Sequence, residues 1–237
     1  MSTTLVTETS STGLGSGIYT QSILNYLYQR LVLEFNVPYV WGCPCDVLLN
    51  LFAEHFSHNH LDCGVATGYF PATVLQRTRQ ANTQRQITLL DLNPNCLEAA
   101  KSAIQAEAPR VPVHTVEADI KAPIPAALKG KKFDTISMFN LFHCVPGGAS
   151  KFQALATYKD VLADNGVFIG CTVLGEKHAT GWFSRNYLSL YNWVGVFNNW
   201  DDKAEDIESV LRSAYKEVDT WKVGMILMWR VKSPKKA

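Results

Sequence analysis

The stretch HNHLDCGVATGYF, residues 58–70, decides how the rest of the chain is interpreted. The residues before Asp62 are typical of the end of a β-strand, and the turn that Asp62 opens leads into a helix. Gly64 and Gly68, with the small Ala66 between them, allow the backbone to turn sharply and a ligand to approach it closely. Such a turn usually lies at the carboxyl edge of a parallel sheet and faces a nucleotide-like molecule.

The spacing of the small residues distinguishes between two kinds of nucleotide site. The dinucleotide pattern G-x-G-x-x-G fails twice, because the chain has Ala66 and Tyr69 where glycines would be needed. The pattern D-x-G-x-G-x-G, which begins at Asp62, fails only at Ala66. With this turn the chain resembles the class I S-adenosylmethionine-dependent methyltransferases. The resemblance implies S-adenosylmethionine as cofactor and S-adenosylhomocysteine as product, with Asp62, Gly64, Ala66 and Gly68 in contact with the cofactor.

Four further strand-like stretches follow the turn in the order that a doubly wound sheet requires, namely residues 87–95, 113–120, 132–147 and 165–176. Asp91 stands in the first of them, about 20 residues beyond the turn, which is the offset at which an acid reaches a ribose. Asp119 ends the second stretch, and an Asn-Gly turn at 165–166 is expected to open the last. The resemblance implies that Asp91 binds both ribose hydroxyls and that Asp119 accepts a hydrogen bond from the adenine amino group.

Other cofactor contacts are implied by the resemblance rather than by spacing. It implies that Leu92 packs on the adenine ring and that Ile120 lies against the same ring. It also implies that the methionine part of the cofactor lies where the 132–147 stretch ends. The remaining residues expected to contact the cofactor are Asn93, Phe139, Asn140, Trp41 and Tyr28. For Trp41 and the tyrosine, ordinary packing is the alternative.

The pattern along the chain predicts an α/β fold, a three-layer, doubly wound and mostly parallel seven-stranded sheet with an antiparallel last strand, plus an N-terminal helical cover. Residues 1–17, rich in Ser, Thr and Gly, are expected to be disordered. Residues 18–237 are expected to form a single methyltransferase domain, with N-terminal helices in 18–57 and a substrate lid inserted at 176–214. Apolar residues at helical spacing predict a first helix that ends at residues 36–38.

The end of the 132–147 stretch supplies the candidate catalytic group. His143 stands where many members of the resembling family carry the first of two histidines, and Cys144 replaces the second. A histidine with its ordinary pKa of about 6.5 would take a proton from an oxygen acceptor. The alternative is a histidine that is satisfied inside the core.

Aromatic residues concentrate in residues 176–200, where the fold inserts its substrate-binding helix or lid. This composition predicts an apolar, aromatic or lipidic acceptor site with few polar groups, whereas ordinary aromatic core is the alternative. The residues expected to line the site are Trp182, Tyr187, Tyr191, Asn192, Phe197 and Asn198, together with Tyr26 of the first helix.

Composition argues against several other kinds of function. A formal net charge of +1 with 18% charged residues gives no electrostatic footprint for nucleic acid. No stretch reaches the roughly 18 uncharged apolar residues of a membrane span. Six scattered cysteines suit reduced thiols in a cytoplasmic protein. Cys43 and Cys45 are separated by a helix from His55, His58 and His60, so no metal site is expected.

These features predict a methyltransferase that uses S-adenosylmethionine to methylate a small, largely apolar or aromatic metabolite, in the first place on oxygen. An enzyme of the same fold that catalyses a cyclisation or rearrangement without methyl transfer is the first alternative. A non-catalytic binding protein is the second, and acids at both strand ends disfavour it. The expected partner is a small molecule, and the chain is expected to be a monomer or a homodimer.

Overall fold

The structure is a computed structural model in which residues 32–33, 35–78 and 85–235 are described. Within these residues, seven strands form one sheet: β1 Asn59–Cys63, β2 Gln86–Asp91, β3 Val113–Glu117, β4 Phe133–Phe139, β5 Leu162–Val173, β6 Tyr215–Val223 and β7 Ile226–Pro234. The α-helices are α1 Cys45–His55, α2 Tyr69–Arg77, α3 Pro94–Glu107, α4 Gln153–Thr157, α5 Trp182–Trp193 and α6 Ala204–Ala214. Short 3₁₀ helices lie at Ala126–Leu128, Phe142–Cys144, Gly148–Phe152, Tyr158–Val161 and Glu176–His178.

The strand order in the sheet is β3-β2-β1-β4-β5-β7-β6. The first five strands of this order pair in parallel, whereas β7 runs antiparallel to both β5 and β6. The predicted sheet, mostly parallel with an antiparallel last strand, is therefore confirmed. The order reverses between β1 and β4, and ligands of open α/β sheets bind at such a switch point, outside the carboxyl ends of the strands.

Helices cover both faces of the sheet, as the three-layer prediction requires. On one face, Leu89 of β2 packs in a core with α1, α2 and α3. On the other face, Leu61 and Cys63 of β1 pack in a core with α4 and α6. Because successive strand residues point to opposite faces, the polar His60 and Asp62 of β1 lie on the side of α1 and α2.

The predicted opening of β5 is wrong. The strand begins at Leu162, so the Asn-Gly pair at 165–166 lies inside it. Pairing with β4 passes from Phe133 opposite Leu162 to Thr135 opposite Val167, and the register shifts between them. Extra residues on one strand bulge out and let the pairing resume beyond them, which a sequence-based turn signal does not distinguish from a strand end.

The predicted end of the first helix is also wrong. Helical structure of the π type continues over residues 35–40, beyond the expected end at 36–38. Pro38 does not stop it, because the turn after it is closed by the Trp41 N–H, which donates to the Asn36 carbonyl over 2.8 Å.

Two other predicted segments meet the structure differently. Residues 1–31, which hold the expected disordered start and most of the first helix, lie outside the described residues. In the region 176–214, α5 stands outside the regular alternation of strands and helices, whereas α6 packs on the sheet through Ile207 and Leu211. The segment expected to form the substrate lid therefore contains both α5 and α6. Among the described helices, none has the length and apolar character that crossing a membrane requires.

Candidate functional site

The turn after β1 has the backbone conformation that its small residues predict. Gly64 and Gly68 have φ angles of 73° and 71°, and Ala66 has a φ of 46°. The Gly64 N–H donates to the Leu90 carbonyl of β2 over 2.8 Å, which ties the turn to the sheet edge. A Cβ at Gly68 would come within 2.7 Å of the Ala100 Cα, so glycine is required for the turn to pack this closely on α3.

Ala66 has a conformation that disfavours its own side chain. A left-handed φ costs a residue with a Cβ about 1–2 kcal/mol, and glycine has no such cost. We expect Ala66→Gly to raise the free energy of unfolding by about 0.5–1 kcal/mol, because the freer unfolded chain offsets part of the gain. Urea denaturation measures the change. Ala103→Gly, within α3, is the matched control and should lower the same quantity by about 1 kcal/mol; a loss in both variants would contradict strain at Ala66.

Asp91, at the end of β2, points its carboxylate at the turn. Its Oδ1 accepts a hydrogen bond from the Asn93 N–H over 2.9 Å. The N–H groups of Val65 and Ala66 in the turn also favour its ionised form, but burial dominates and raises the pKa of Asp91 above its ordinary value. A carboxylate in this place still has lone pairs for the hydroxyl groups of a ligand.

Asp119 lies at the same edge, just beyond the neighbouring strand. Asp91 pairs with Glu117 between β2 and β3, and the Ala118 N–H donates to the Asp91 carbonyl over 3.0 Å. Asp119 Oδ1 accepts from the Lys121 N–H over 2.9 Å, and its Oδ2 lies 3.8 Å from the Lys121 ammonium. The two acids that were expected to act together are therefore on adjacent strand ends.

The residues expected at an adenine ring differ in exposure. Leu92 is 65% exposed, whereas Ile120 is buried. Asn93 caps α3, and its side chain accepts a hydrogen bond from the Asn95 N–H over 3.0 Å. This capping role accounts for an asparagine at position 93 without any contact to a ligand. Leu92 is thus an apolar side chain left uncovered next to Asp91, as a surface for a flat ring would be.

A pocket opens at the turn, beside the end of β4. It is lined by Asp62, Gly64, Val65, Ala66, Thr67, Tyr69, Phe70, Pro71 and Phe139. Four residues expected to bind the cofactor are therefore brought together there, namely Asp62, Gly64, Ala66 and Phe139. Asp91 is outside this lining, on the side of β2.

Asn140, the residue after β4, has an unusual conformation and an unsatisfied donor. Its φ is 52°, its N–H donates to the Cys171 carbonyl over 2.9 Å, and its Oδ1 accepts from the Cys171 thiol over 3.5 Å. Its Nδ2 is buried and has no hydrogen-bond partner among the described residues. A buried amide donor without a partner is costly, so a ligand oxygen would be favourable at this place next to Phe139.

Two side chains absent from the sequence-based prediction hold Asp62. The Ser137 hydroxyl donates to Asp62 Oδ1, and His60 Nε2 lies 2.8 Å from the same hydroxyl. Burial raises the pKa of Asp62 to about 7 against the effect of this hydrogen bond, and burial lowers the pKa of His60 to about 3. The sequence feature that could have identified them is the alternation of polar and apolar residues in two buried strands, H-L-D in β1 and T-I-S in β4.

His143 lies in the 3₁₀ helix after β4 and is 4% exposed. Its Nδ1 is 3.4 Å from Thr172 Oγ1 and 3.5 Å from the Val173 nitrogen, and its ring centroid is 4.3 Å from that of Phe197. Burial lowers the pKa of His143 to about 3, with the Lys151 ammonium as a smaller cause. The ordinary pKa assumed from the sequence therefore does not apply, and the imidazole is neutral at physiological pH.

An aromatic cluster of Trp41, Tyr187, Tyr191 and Phe197 joins the N-terminal segment to α5. The Tyr187 and Tyr191 rings stack with centroids 4.8 Å apart, and Trp41 meets Tyr187 edge-on at 5.9 Å. Phe197 lies 5.0 Å from Tyr191 and 5.7 Å from Trp41. Both tyrosine hydroxyls form hydrogen bonds of 3.0 Å with the Asn36 side chain. Trp41 is 1% exposed and belongs to this cluster, not to the lining of the pocket at the turn.

Other residues expected to line the acceptor site have different surroundings. The Asn192 side chain exchanges two hydrogen bonds of 3.0 Å with Asn199 and so closes the loop after α5. Trp182 is 78% exposed at the start of α5. Asn198 is also exposed, and its backbone N–H donates to the His143 carbonyl over 2.7 Å. Tyr26 and Tyr28 lie outside the described residues.

A buried ion pair, also absent from the sequence-based prediction, holds the loop beside His143. Lys151 Nζ lies 2.7 Å from Asp202 Oδ2, and the two side chains are 0% and 3% exposed. The same ammonium donates to the Asn198 carbonyl over 2.9 Å. Lys151 stands in the sequence G-G-A-S-K-F, which gives no sign of burial.

The cysteines and histidines that suggested a metal have other neighbours. Cys45 Sγ is 3.9 Å from the Tyr69 hydroxyl, burial raises the pKa of Cys43 to about 11, and His60 is engaged by Ser137. In the part of the chain that the structure describes, no group of three or more His, Cys, Asp or Glu side chains could hold a metal ion.

Comparisons with known proteins agree on one kind of domain. Residues 61–168 match a family model described as a methyltransferase domain. The chain is 49% identical to a Pyricularia oryzae protein named O-methyltransferase NEC2, over 92% of each chain. A solved O-methyltransferase family protein from Burkholderia thailandensis has a TM-score of 0.63 at 17% identity, covering 92% of this chain and 64% of that one. The N-methyltransferase NodS of Bradyrhizobium japonicum, solved with S-adenosylhomocysteine, has a TM-score of 0.57 at 15% identity, over 89% and 98% of the two chains. These two structures speak for the fold alone.

Proposed function

Since this chain belongs to the class I S-adenosylmethionine-dependent methyltransferases, enzymes that methylate with this cofactor, we propose that it methylates an oxygen atom of a small, largely apolar or aromatic metabolite. The observation that carries the choice of oxygen is the 49% identity to a protein named an O-methyltransferase. Cyclisation or rearrangement without methyl transfer is not favoured, because the relatives are named for methyl transfer.

The residues at the switch point fit the cofactor. When bound, S-adenosylmethionine supplies a methyl group on a positively charged sulfur, and the bonding electron pair stays with the sulfur when the methyl group leaves. An adenosine and an amino-acid group require donors and acceptors of the kind present here. These are the N–H groups of the turn, the carboxylate of Asp91 beside it and the Asn140 Nδ2, which has no partner within the described part of the chain.

The adenosine part is assigned to the ends of β2 and β3. In this proposal Asp91 accepts hydrogen bonds from the ribose hydroxyls, and Asp119 accepts one from the adenine amino group. The exposed Leu92 and the buried Ile120 supply the apolar contacts to the ring. Asn93 contributes indirectly, because it caps α3 and so fixes the backbone next to Leu92.

The methionine part is assigned to the pocket between the turn and β4. Gly64 and Ala66 line it, and Phe139 supplies an apolar wall, while Gly68 lets the turn pack closely on α3. Asp62 carries the negative charge in this pocket, and Asn140 offers the Nδ2 donor that lacks a partner among the described residues. These two groups would hold the amino-acid end of the cofactor in the pocket.

The acceptor site is assigned to the space between His143 and α5. The aromatic cluster satisfies its own tyrosine hydroxyls through Asn36, so Tyr187, Tyr191 and Phe197 would offer ring surfaces rather than free polar groups. A site of this kind favours a flat, apolar acceptor.

Buried thiols at Cys43, Cys63, Cys96 and Cys171 support a cytoplasmic location, where thiols stay reduced.

In this site His143 would donate a hydrogen bond to the acceptor oxygen. Its Nδ1 accepts from the Val173 N–H over 3.5 Å, so the neutral imidazole carries its proton on Nε2. With a pKa of about 3, His143 stays neutral and would orient the acceptor rather than take its proton. Most of the rate would therefore come from alignment and from exclusion of water, worth up to about 7–11 kcal/mol.

Incubation with methyl-labelled S-adenosylmethionine and a panel of small phenols, amines and thiols tests the proposal. We expect label on phenolic oxygen, identified by mass spectrometry. His143→Gln should lower kcat about 100-fold at saturating substrates, since the acceptor loses its oriented partner, and should leave the affinity for S-adenosylhomocysteine within about twofold. Label on nitrogen or sulfur alone would overturn the choice of oxygen, and an unchanged kcat would remove His143 from the site.

A further inference from the structure

Asp62, Ser137 and His60 form a buried line of hydrogen bonds on one face of the sheet. Asp62 pairs in register with Ser137, and His60 pairs with Thr135, so all four side chains point to the side of α1. The Phe52 ring of α1 lies 5.2 Å from the His60 ring and closes the line from solvent. A polar arrangement inside a core persists only if its members satisfy one another.

The positions of the protons follow from the partners. The Ser137 hydroxyl has one proton, which it donates to Asp62 Oδ1. Its oxygen must then accept from His60 Nε2 at 2.8 Å, which fixes the tautomer with the proton on Nε2. His60 Nδ1, which lacks a partner among the described residues, is then an unprotonated acceptor and not a buried N–H. The hydrogen bonds are therefore donated in one direction, from His60 to Ser137 and from Ser137 to the carboxylate of Asp62.

We propose that Ser137, fixed by His60, is a positioning residue that keeps Asp62 ionised and leaves its second oxygen to bind the α-ammonium group of the cofactor's methionine part. The inference rests on the proposed function, because it requires the cofactor in the pocket that Asp62 lines. Ser137 engages only Oδ1 of Asp62, so Oδ2 is the oxygen available to a ligand.

The charges around Asp62 favour a cationic ligand. The ionisable groups that face it are His60 from its own strand, Asp91 from β2 and, across the pocket, Tyr69 from α2, while the neighbouring Cys63 points to the opposite face of the sheet. None of these groups is positive at neutral pH, and Asp91 raises the pKa of Asp62 further. An ammonium group would be the first positive partner for this carboxylate, and Ser137 is the neutral donor that opposes its protonation.

The pH dependence of binding has a definite sign. Only the ionised form of Asp62 attracts an ammonium group, and burial raises the pKa of Asp62 to about 7. Affinity for S-adenosylhomocysteine should therefore rise as pH increases through about 7 and fall roughly tenfold per pH unit below it. Loss of the Ser137 donor should move this midpoint upward by about one to two pH units, because a hydrogen bond to a charged group is lost.

Calorimetric titrations between about pH 5.5 and pH 8.5 test the inference with two ligands. S-adenosylhomocysteine carries the ammonium group, and 5′-methylthioadenosine has the adenosine and the sulfur but lacks the amino-acid part. Ser137→Ala should weaken S-adenosylhomocysteine about tenfold at pH 7 and leave 5′-methylthioadenosine within about twofold. Ser137→Thr should restore the wild-type midpoint, since it keeps the hydroxyl.

Thr135→Val is the matched control. Thr135 is a buried hydroxyl of the same strand and face, and it donates to the His55 carbonyl over 2.7 Å rather than to Asp62. This variant should lose stability without moving the pH midpoint. Binding of both ligands with an unshifted midpoint in Ser137→Ala would overturn the role of Ser137 while the cofactor site stands. Failure of both ligands to bind the wild-type protein at every pH would instead overturn the proposed function and, with it, this inference.

Discussion

Asp91→Asn is expected to weaken the binding of S-adenosylhomocysteine about 10–100-fold, the equivalent of losing hydrogen bonds to a charged group worth about 1.5–3 kcal/mol. The carboxylate is the acceptor assigned to the ribose hydroxyls, and the substitution replaces one of its oxygens by an amide donor. The N–H groups of Val65 and Ala66 in the turn also favour a negative group there. The amide NH₂ of the new asparagine would be a donor facing these N–H donors, which is unfavourable.

Glu117→Gln is the matched control for this prediction. Glu117 is exposed, pairs with Asp91 across β2 and β3, and its replacement removes the same charge from the neighbouring strand. Calorimetry should find its affinity within about twofold of the wild-type value, because exposed charges are screened over about 10 Å. An affinity of Asp91→Asn that is also within twofold would show that the adenosine does not lie at the end of β2.

The order and direction of the strands could be predicted because each is marked locally. Apolar stretches that end in an acid recur after the glycine turn, and a doubly wound sheet is the arrangement that joins such stretches by helices. The boundaries were less secure. The Asn-Gly pair at 165–166 has turn chemistry, yet it lies inside β5 because pairing with β4 resumes beyond it.

The residues of the site likewise divide into those that the sequence predicts and those that it does not. Asp91 and Asp119 could be predicted because a strand end and an acid are neighbours in sequence. Ser137 and Lys151 could not, because their partners lie 75 and 51 residues away, at Asp62 and Asp202. The pKa of His143 could not be predicted from the sequence either, since its shift to about 3 comes from burial among residues of other elements.

Lys151→Met is expected to lower the free energy of unfolding by about 3–5 kcal/mol, because it leaves the Asp202 carboxylate buried without its cation. Burial already raises the pKa of Asp202 to about 6 in the presence of the lysine. Without the lysine that pKa rises further above its unfolded value. Stability from this group is then present at low pH and lost as pH rises through the folded pKa, so the variant's deficit should be smaller at pH 5 than at pH 8.

A double variant separates the effect of the unpaired Asp202 charge from that of the lost hydrogen bond between Lys151 and the Asn198 carbonyl. Lys151→Met with Asp202→Leu removes both charges and should recover all but about 1 kcal/mol, the share of the lost hydrogen bond to the Asn198 carbonyl. Arg185→Met is the control, since it breaks an exposed ion pair of the same 2.7 Å length with Glu176 and should cost less than about 1 kcal/mol. Because the Asn198 N–H holds the His143 carbonyl, kcat should fall in Lys151→Met at a temperature where it is folded. A double variant no more stable than Lys151→Met would show that the loop depends on the bond to Asn198 and not on the buried charge.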